Sequence, residues 1–269
     1  MKKVNGHEII SLFEQWSPKR FAMDGDPVGL HIGQLNRPVE KVLITLDVNE
    51  QVIDEAIHSG ANLIIAHHPP IFRPLKSLQT DTPQGRMIEK CIKNDIAVYA
   101  AHTNLDVAPG GVNDMLAEKL GLVDTTVVAP TFSEAANEYG LGRIGKLKEK
   151  TTLAQFAEQV KQVFGVPALR FVGNPTKEIR KVAVLGGDGN KYIGAAKRAG
   201  ADVLVTGDLY YHVAHDAEAM GLAVIDPGHN IEKVMIEGVA DYMRDACVEA
   251  RYDVLFIQSA VITEPFHFI

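Results

Sequence analysis

An internal repeat limits the folds open to this sequence. Residues 41–66 align with 181–206 at a constant offset of 140 without a gap, and six positions are identical. Each copy has the pattern of a buried strand, an amphipathic helix, a Gly-Ala turn and a second buried strand. A helix and a third strand follow each copy, over 85–100 and 211–226. The sequence therefore predicts two βαβαβ halves with parallel strands. The likeness of the two halves could come from duplication or from the pattern that βαβ units have in common.

Capping residues support the helix boundaries within the repeat. Asn49 and Asn190 stand near the predicted helix starts, where an amide side chain can accept a backbone N–H. Gly60 and Gly200 stand at the predicted helix ends, where glycine adopts the left-handed conformation without strain. The pattern thus predicts that both helices begin and end at matching places.

The remaining segments predict two α/β lobes. An amphipathic helix over 152–165, with a strand pattern on either side, elaborates the second half, and a last strand lies within 253–262. We predict domains at 1–121 and 122–269, and we leave open the alternative that the C-terminal segment returns to the first lobe. The expected fold is α/β: two similar lobes with mostly parallel sheets in one compact body.

Composition excludes several protein classes. Of 269 residues, 46% are hydrophobic and 23% charged, as in globular domains. No apolar run approaches the roughly 20 residues of a membrane-spanning helix, and no signal-peptide pattern opens the chain, so we expect a cytoplasmic protein without membrane contact. A net charge of −7 without a long basic run does not favour a nucleic-acid partner. Two cysteines are too few for a disulfide framework, and Cys91 fits a buried helix position.

Histidines and carboxylates follow the predicted strands of the first half. His67 and His68 come directly after the strand at 63–66, and His102 and Asp106 follow the strand ending in AVYA. Ligands of open α/β sheets bind beyond the carboxyl ends of strands, and imidazole is a common metal ligand. Taken singly, the histidine pair could instead be joined by hydrogen bonds, and Asp106 could belong to a simple turn. The role of His102 is open between a metal ligand and a group that holds one.

The second half offers one further pair of donors. His229 and Glu232 stand three residues apart at the start of an amphipathic helix, so their side chains share one face. Glu232 alone could merely complement the helix dipole. Considered jointly, three histidines and two carboxylates from equivalent strand ends suit two divalent ions about 3.5–4 Å apart. The mixed nitrogen and oxygen donors favour Zn, Fe, Mn or Co. Other candidates for proton transfer or substrate contact are His31, His102, Asp208, His212 and His215.

The motifs DPVGLHIG, AHHPPIF, AHTNLD, VTGD and GHNIE, in this order, resemble the family of GTP cyclohydrolase 1 type 2 homologues, also called Nif-three-like. The resemblance covers nearly the whole chain. It implies a two-lobed α/β protein, a toroidal homohexamer and two metal ions per subunit facing the central cavity. Some members space the last histidine and carboxylate by four residues and some carry an inserted domain, which this chain is too short to contain. The implied metal ligands are His67, His68, Asp106, His229 and Glu232.

The resemblance also implies a reaction. A metal-activated water would open the guanine imidazole ring of GTP, with His102 or His212 moving protons. The alternatives are a dimetal hydrolase or phosphatase acting on another nucleotide or phosphoester, and a non-catalytic hexameric scaffold or regulatory protein that binds metal. No triphosphate-binding motif is evident, since 186–189 resembles a phosphate loop only loosely. Arg73 and Lys76 are the nearest cations, in a pattern typical of a solvated loop.

Overall fold

The computed structural model describes residues 2–134 and 137–269. The helices are α1 (Gly6–Trp16), α2 (Glu50–Ser59), α3 (Pro83–Lys93), α4 (Thr103–Val107), α5 (Val112–Lys119), α6 (Leu153–Phe164), α7 (Ile193–Arg198), α8 (Tyr211–Ala219) and α9 (Val234–Glu249). The strands are β1 (Val4–Asn5), β2 (Gly29–Ile32), β3 (Pro38–Val39), β4 (Lys41–Thr45), β5 (Leu63–Ala66), β6 (Ala97–Ala100), β7 (Val123–Glu134), β8 (Asn137–Thr152), β9 (Arg170–Val172), β10 (Glu178–Asp188), β11 (Val203–Gly207), β12 (Ala223–Asp226) and β13 (Leu255–Gln258). Short 3-10 helices lie at Lys19–Phe21, Asn190–Tyr192 and His229–Lys233.

The first of two compact units comprises Met1–Ala108 and Met235–Thr263. Its main sheet has the strand order β13-β4-β5-β6-β2, in which only β2 runs antiparallel to its neighbour among the described strands. Strands β4, β5 and β6 are buried along nearly their whole length, as expected for parallel strands covered on both faces. One apolar cluster packs α2 and α3 against this sheet, with Ile53, Ile64 and Cys91 fully buried. The C-terminal strand β13 thus completes the sheet of the first unit.

The second unit comprises Pro109–Val234 and Glu264–Ile269. Its sheet has the order β7-β8-β10-β11-β12-β9. The central strands β10, β11 and β12 are parallel, whereas β7, β8 and β9 pair antiparallel with their neighbours. The parallel centre is the repeated part, and the antiparallel strands are the elaboration specific to this half.

The repeat extends to strand register. Val42 of β4 pairs with Leu63 of β5, and Val182 of β10 pairs with Val203 of β11 at the same offset as in the sequence. The third strands continue the correspondence, because β6 begins opposite Leu63 and β12 begins opposite Val203. The predicted α/β class with two related halves is therefore confirmed. The domain division at residues 121 and 122 stays a prediction.

The identical lysines of the repeat have identical contacts. The Nζ atom of Lys41 donates to the carbonyl oxygen of Ser59 at 2.7 Å, and that of Lys181 donates to Ala199 at 2.7 Å. Each acceptor lies at the end of the first repeat helix, where the last carbonyls lack partners within the helix. The lysines therefore anchor the helix end to the first strand in both halves.

The capping predictions have mixed outcomes. Asn49 caps α2 by accepting from Val52 N at 3.0 Å, and Gly60 ends that helix at φ 74. Gly200 also has positive φ. The cap predicted at Asn190 is wrong, because its side chain bonds to Asp188 Oδ1, the Asp208 carbonyl and the Tyr210 amide. The position equivalent to Asn49 in the second half is Gly189, which has no side chain to cap the helix. Its neighbour Asn190 instead connects the turn at Asp188 to the loop at 208–210.

Among the described residues, every helix is too short or too polar to cross a bilayer.

Candidate metal centre

Two adjacent histidines extend the pairing of β5 beyond its last residue. The amide of His67 donates to Thr45 O at 3.1 Å, and that of His68 donates to Leu46 O at 2.9 Å. The two rings lie 5.1 Å apart, at a tilt of 45°. A ring nitrogen of each lies within 4.8 Å of the other and of a ring nitrogen of His102. The backbone at the strand end therefore brings three imidazoles of the first unit together.

The next strand supplies a carboxylate to the same cluster. Strand β6 is followed by His102 and then by the short helix α4, which carries Asp106 on its inner side. The Oδ1 atom of Asp106 lies 3.6 Å from Nε2 of His67, and His67 is fully buried. A buried carboxylate beside a buried imidazole is costly unless a proton or a cation is shared. The geometry thus groups four of the residues predicted from the sequence to have a role.

Each of these histidines is held through Nδ1. The acceptors are Ala101 O for His67 at 2.8 Å, Asp47 Oδ1 for His68 at 2.6 Å and Asp26 Oδ1 for His102 at 2.8 Å. Since a carbonyl or carboxylate requires a hydrogen on Nδ1, the neutral ring carries its lone pair on Nε2. Metal-binding histidines commonly have this arrangement, with the outer nitrogen donating to a fixed acceptor.

Asp26 is ionised and tied to two neighbours. Burial is the largest influence on its pKa and raises it, but the hydrogen bonds from His102 and Thr103 together hold the pKa below its usual range. Thr103 contributes both its amide and its hydroxyl to Asp26 Oδ2. The carboxylate therefore keeps a proton on Nδ1 of His102 and fixes the plane of that ring.

Sequence reasoning missed Asp26 and Asp47. Asp47 follows the carboxyl end of β4, so the strand-end criterion that selected His67 would also have selected it. Asp26 lies in an irregular segment 76 residues before its partner His102, and only the tertiary structure brings the two together.

The second unit holds a separate pair of donors. His229 and Glu232 lie in the 3-10 helix that precedes α9, and His229 Nε2 is 3.1 Å from Glu232 Oε2. The Nδ1 atom of His229 bonds to Asp208 Oδ2 at 2.6 Å, which directs Nε2 toward the carboxylate. Asp208 itself has φ 54, and Asn190 Nδ2 donates to its carbonyl at 2.8 Å. The spacing of three residues places both side chains on one face, because side chains at i and i+3 align in a 3-10 helix.

A glycine turn makes room for Glu232. A Cβ atom at Gly186 would lie 2.7 Å from Glu232 Oε1, and one at Gly187 would lie 3.0 Å from the same oxygen. The Glu232 side chain is only 4% exposed. The segment 186–189 therefore accommodates a buried carboxylate, which explains its loose likeness to a phosphate loop.

Other candidates from the sequence lie elsewhere on their units. His212 and His215 are exposed on α8, with the ring of Tyr211 at 5.3 Å and 4.8 Å. Within the described residues, neither belongs to a close group of three or more His, Cys, Asp or Glu donors. His31 contacts the carbonyl of Pro27 at 2.5 Å. The catalytic role of His212 stays a prediction.

The donor sets fit a borderline transition metal. Neutral imidazoles whose lone pairs converge repel one another, and a cation between them removes that repulsion. Imidazole nitrogen combined with carboxylate oxygen suits Zn, Fe, Mn or Co better than Mg or Ca. The glycine turn around Glu232 and the acceptors on each Nδ1 also match the way metal ligands are oriented.

Comparison with known proteins identifies a family whose model matches this chain. A model of the family Duf34/NIF3 (NGG1p interacting factor 3) matches residues 4–265. A protein of Halalkalibacterium halodurans named GTP cyclohydrolase 1 type 2 homolog is 42% identical over 372 aligned positions, covering all of both chains. That alignment is longer than this chain, so the relative has residues without a counterpart here. A protein of the same name from Streptococcus pneumoniae is 40% identical over 266 residues, 97% of this chain and 98% of its own.

A solved structure agrees over the full length. The crystal structure of a Bacillus cereus protein related to NIF3 is 44% identical, covers all of both chains and superposes with a TM-score of 0.98. These matches show that the chain belongs to the Duf34/NIF3 family.

Proposed function

We propose that this protein is a metal-dependent hydrolase that binds two divalent transition-metal ions per chain. The observation that carries the proposal is the shared arrangement of four histidines, each held at Nδ1 by an acceptor. The names of the relatives, GTP cyclohydrolase 1 type 2 homolog, support a hydrolytic activity on a nucleotide. The proposed ligands are His67, His68, Asp106, His229 and Glu232.

We propose further that both halves of the repeat supply metal ligands. The first unit offers histidines with one carboxylate, and the second offers one histidine with one carboxylate. The repeat supports the combination: Asp106 and Glu232 each stand nine residues after the first residue of β6 and β12, which are equivalent strands. Ligands of open α/β sheets bind beyond the carboxyl ends of the strands, where both carboxylates stand.

The chain's own residues would position substrate and move protons. When bound, the ions would supply an activated water and stabilise developing negative charge. His102, held in one orientation by the ionised Asp26, would accept or donate a proton at Nε2. His212 would be a second proton carrier, since it is exposed to solvent on α8. The proposed reaction is the opening of the guanine imidazole ring of GTP.

Elemental analysis tests the metal centre. Protein purified without chelator or affinity metal should contain close to two transition-metal ions per chain. The double variant His67→Ala/Glu232→Ala should lose them, because it removes one proposed ligand from each unit. Its circular dichroism should match the wild type, since both residues follow strand ends and do not fill the apolar core. Thermal stability should rise with added metal only in the wild type.

A matched variant controls for the loss of a histidine and a glutamate. His7→Ala/Glu118→Ala changes the same residue types at exposed positions and should keep the wild-type metal content. Equal metal content in the wild type and in His67→Ala/Glu232→Ala would refute the proposed ligands.

Turnover assays separate the candidate functions. Release of formate from GTP by the metal-loaded protein supports ring opening, whereas release of phosphate from nucleotides supports a phosphatase. Metal-dependent stabilisation without turnover supports a scaffold or regulatory protein. His102→Ala should retain metal and lose at least about 100-fold in rate if His102 transfers protons. Loss of metal in that variant would instead make His102 a ligand.

We also propose a homohexamer, on the basis of the family resemblance. Light scattering in solution should then give six times the chain mass of 29.3 kDa. A mass of one or two chains would refute it.

A further inference from the structure

The segment between β5 and α3 places an exposed aromatic ring beside the histidine cluster. Phe72 is 60% exposed, and its ring centroid lies 6.3 Å from that of His102 at an interplanar angle of 85°. The contact is T-shaped, so it engages one side of the Phe72 ring and leaves much of the rest to solvent. The same loop also exposes Leu75 and Leu78. Several exposed apolar side chains in one segment are more informative about binding than a single one.

The same segment is positively charged. Arg73 and Lys76 are exposed, and neither forms a hydrogen bond or an ion pair within the part of the chain that the structure describes. No aspartate or glutamate occurs from His67 to Thr80, in a chain whose net charge is −7. We call residues 69–80 the basic loop. Its charge is opposite to that of the molecule as a whole, so it is suited to an anion.

We propose that the basic loop binds the substrate as a phosphorylated planar ring, that is, a nucleotide. Phe72 would stack on the base beside His102, and Arg73 and Lys76 would pair with phosphate oxygens. This inference rests on the proposed function, because it supplies the substrate contacts that the histidine cluster lacks. Base stacking on an aromatic side chain tolerates different bases, whereas cations recognise phosphate through charge.

Two sets of variants separate the ring contact from the charge contact. Binding of GTP and of tripolyphosphate is measured by equilibrium dialysis, with chromatography to verify that GTP stays intact. Phe72→Ala should weaken GTP binding by about tenfold and leave tripolyphosphate binding unchanged, because only GTP has a ring to stack. Phe72→Trp should restore GTP binding. Arg73→Gln/Lys76→Gln should weaken both ligands several-fold, with a smaller effect at high salt.

Matched controls exclude general effects of charge and of surface apolarity. Lys148→Gln/Arg180→Gln removes the same charge from exposed positions on β8 and β10 and should bind both ligands as the wild type does. Phe268→Ala removes another exposed phenyl ring and should also have no effect.

The outcomes distinguish this inference from the proposed function. Metal present, with GTP bound equally by the wild type and Phe72→Ala, would overturn the inference and leave the dimetal proposal intact. Absence of GTP binding to the wild type would also overturn the inference. No metal, with GTP binding that still depends on Phe72 and on the two cations, would support the basic loop and refute the dimetal centre.

Discussion

Asp47 connects His68 to the C-terminal segment of the first unit. Its Oδ1 accepts from His68 Nδ1 at 2.6 Å, and its Oδ2 accepts from the Thr263 hydroxyl at 2.5 Å. Asp47→Ala should therefore weaken metal binding by about 10–100-fold, because His68 loses its orientation and part of its basicity. Competition with a metal-binding dye would measure the change.

The hydroxyl of Thr263 offers the control for this prediction. Thr263→Val keeps the side-chain shape and the Asp47–His68 bond, so it should weaken metal binding less than Asp47→Ala does. If Asp47→Ala and the wild type bound metal with equal affinity, then either His68 would not be a metal ligand or its orientation would not depend on Asp47.

The cysteines are predicted to be chemically inert. Cys91 is fully buried and Cys247 nearly so, and burial raises the pKa of each thiol to about 11. At pH 8 only about one thiol in a thousand would be ionised at such a pKa, and the thiolate is the reactive form. Native protein should therefore not react with Ellman's reagent at pH 8, whereas denatured protein should release two equivalents.

An exposed thiol provides the positive control. Ser77→Cys, in the basic loop, should react at once in the native state. Fast reaction of the wild-type protein would contradict the burial of Cys91 and Cys247.

The residues near the candidate site differ in how far sequence alone could find them. His67, His68 and Asp106 follow strand ends that hydrophobic pattern predicts, and His229 with Glu232 is a local pair on one turn. Asp26 is different, because its role depends on a contact with His102 that no local pattern encodes. Local periodicity finds candidate ligands at strand ends but not the groups that orient them through tertiary contacts.

The matching lysines allow a test of the repeat at the level of its elements. Lys41→Met and Lys181→Met each remove a 2.7 Å bond to a helix-end carbonyl while keeping most of the apolar stem. Each should lower the free energy of unfolding by about 1–2 kcal/mol, as for other hydrogen bonds from charged groups, and the two losses should be similar. Urea unfolding would measure both.

The neighbouring Arg180 gives a comparison for that test. Arg180→Met removes an exposed charge from the same strand as Lys181, and we expect a change within about 0.5 kcal/mol. Losses as small as that in both lysine variants would mean that these contacts do not stabilise the helix ends.

The sequence predicted individual strands better than it predicted which strands pair. The repeat predicted β4, β5, β10 and β11, because buried parallel strands are short apolar runs between turn signals. Strand β10 is longer than expected, since it begins at Glu178, before the repeated segment. The return of the C-terminal segment to the first lobe was left open from the sequence, and its pairing with β4 was not predicted, since the partner of a C-terminal strand depends on contacts across most of the chain.

At the scale of the whole molecule, the two units differ in continuity. The main sheet of the first unit includes β13, which follows the entire second unit in sequence. The second unit has all six strands of its sheet within 109–234. We therefore expect the two halves to differ in their ability to fold alone, because only the second unit has all the strands of its main sheet in one continuous segment.

This asymmetry predicts how fragments behave. A chain of residues 109–234 should fold, with dispersed amide resonances and a cooperative thermal transition, because its sheet from β7 to β12 is complete. Residues 1–108 should remain largely unfolded, since β4 lacks β13 as a neighbour and the helix α9 is absent. Joining 1–108 to 235–263 through a Gly/Ser linker should restore folding. The opposite result, with 109–234 unfolded and 1–108 folded alone, would contradict this prediction. It would show that having all strands of a sheet in one fragment does not decide whether that fragment folds.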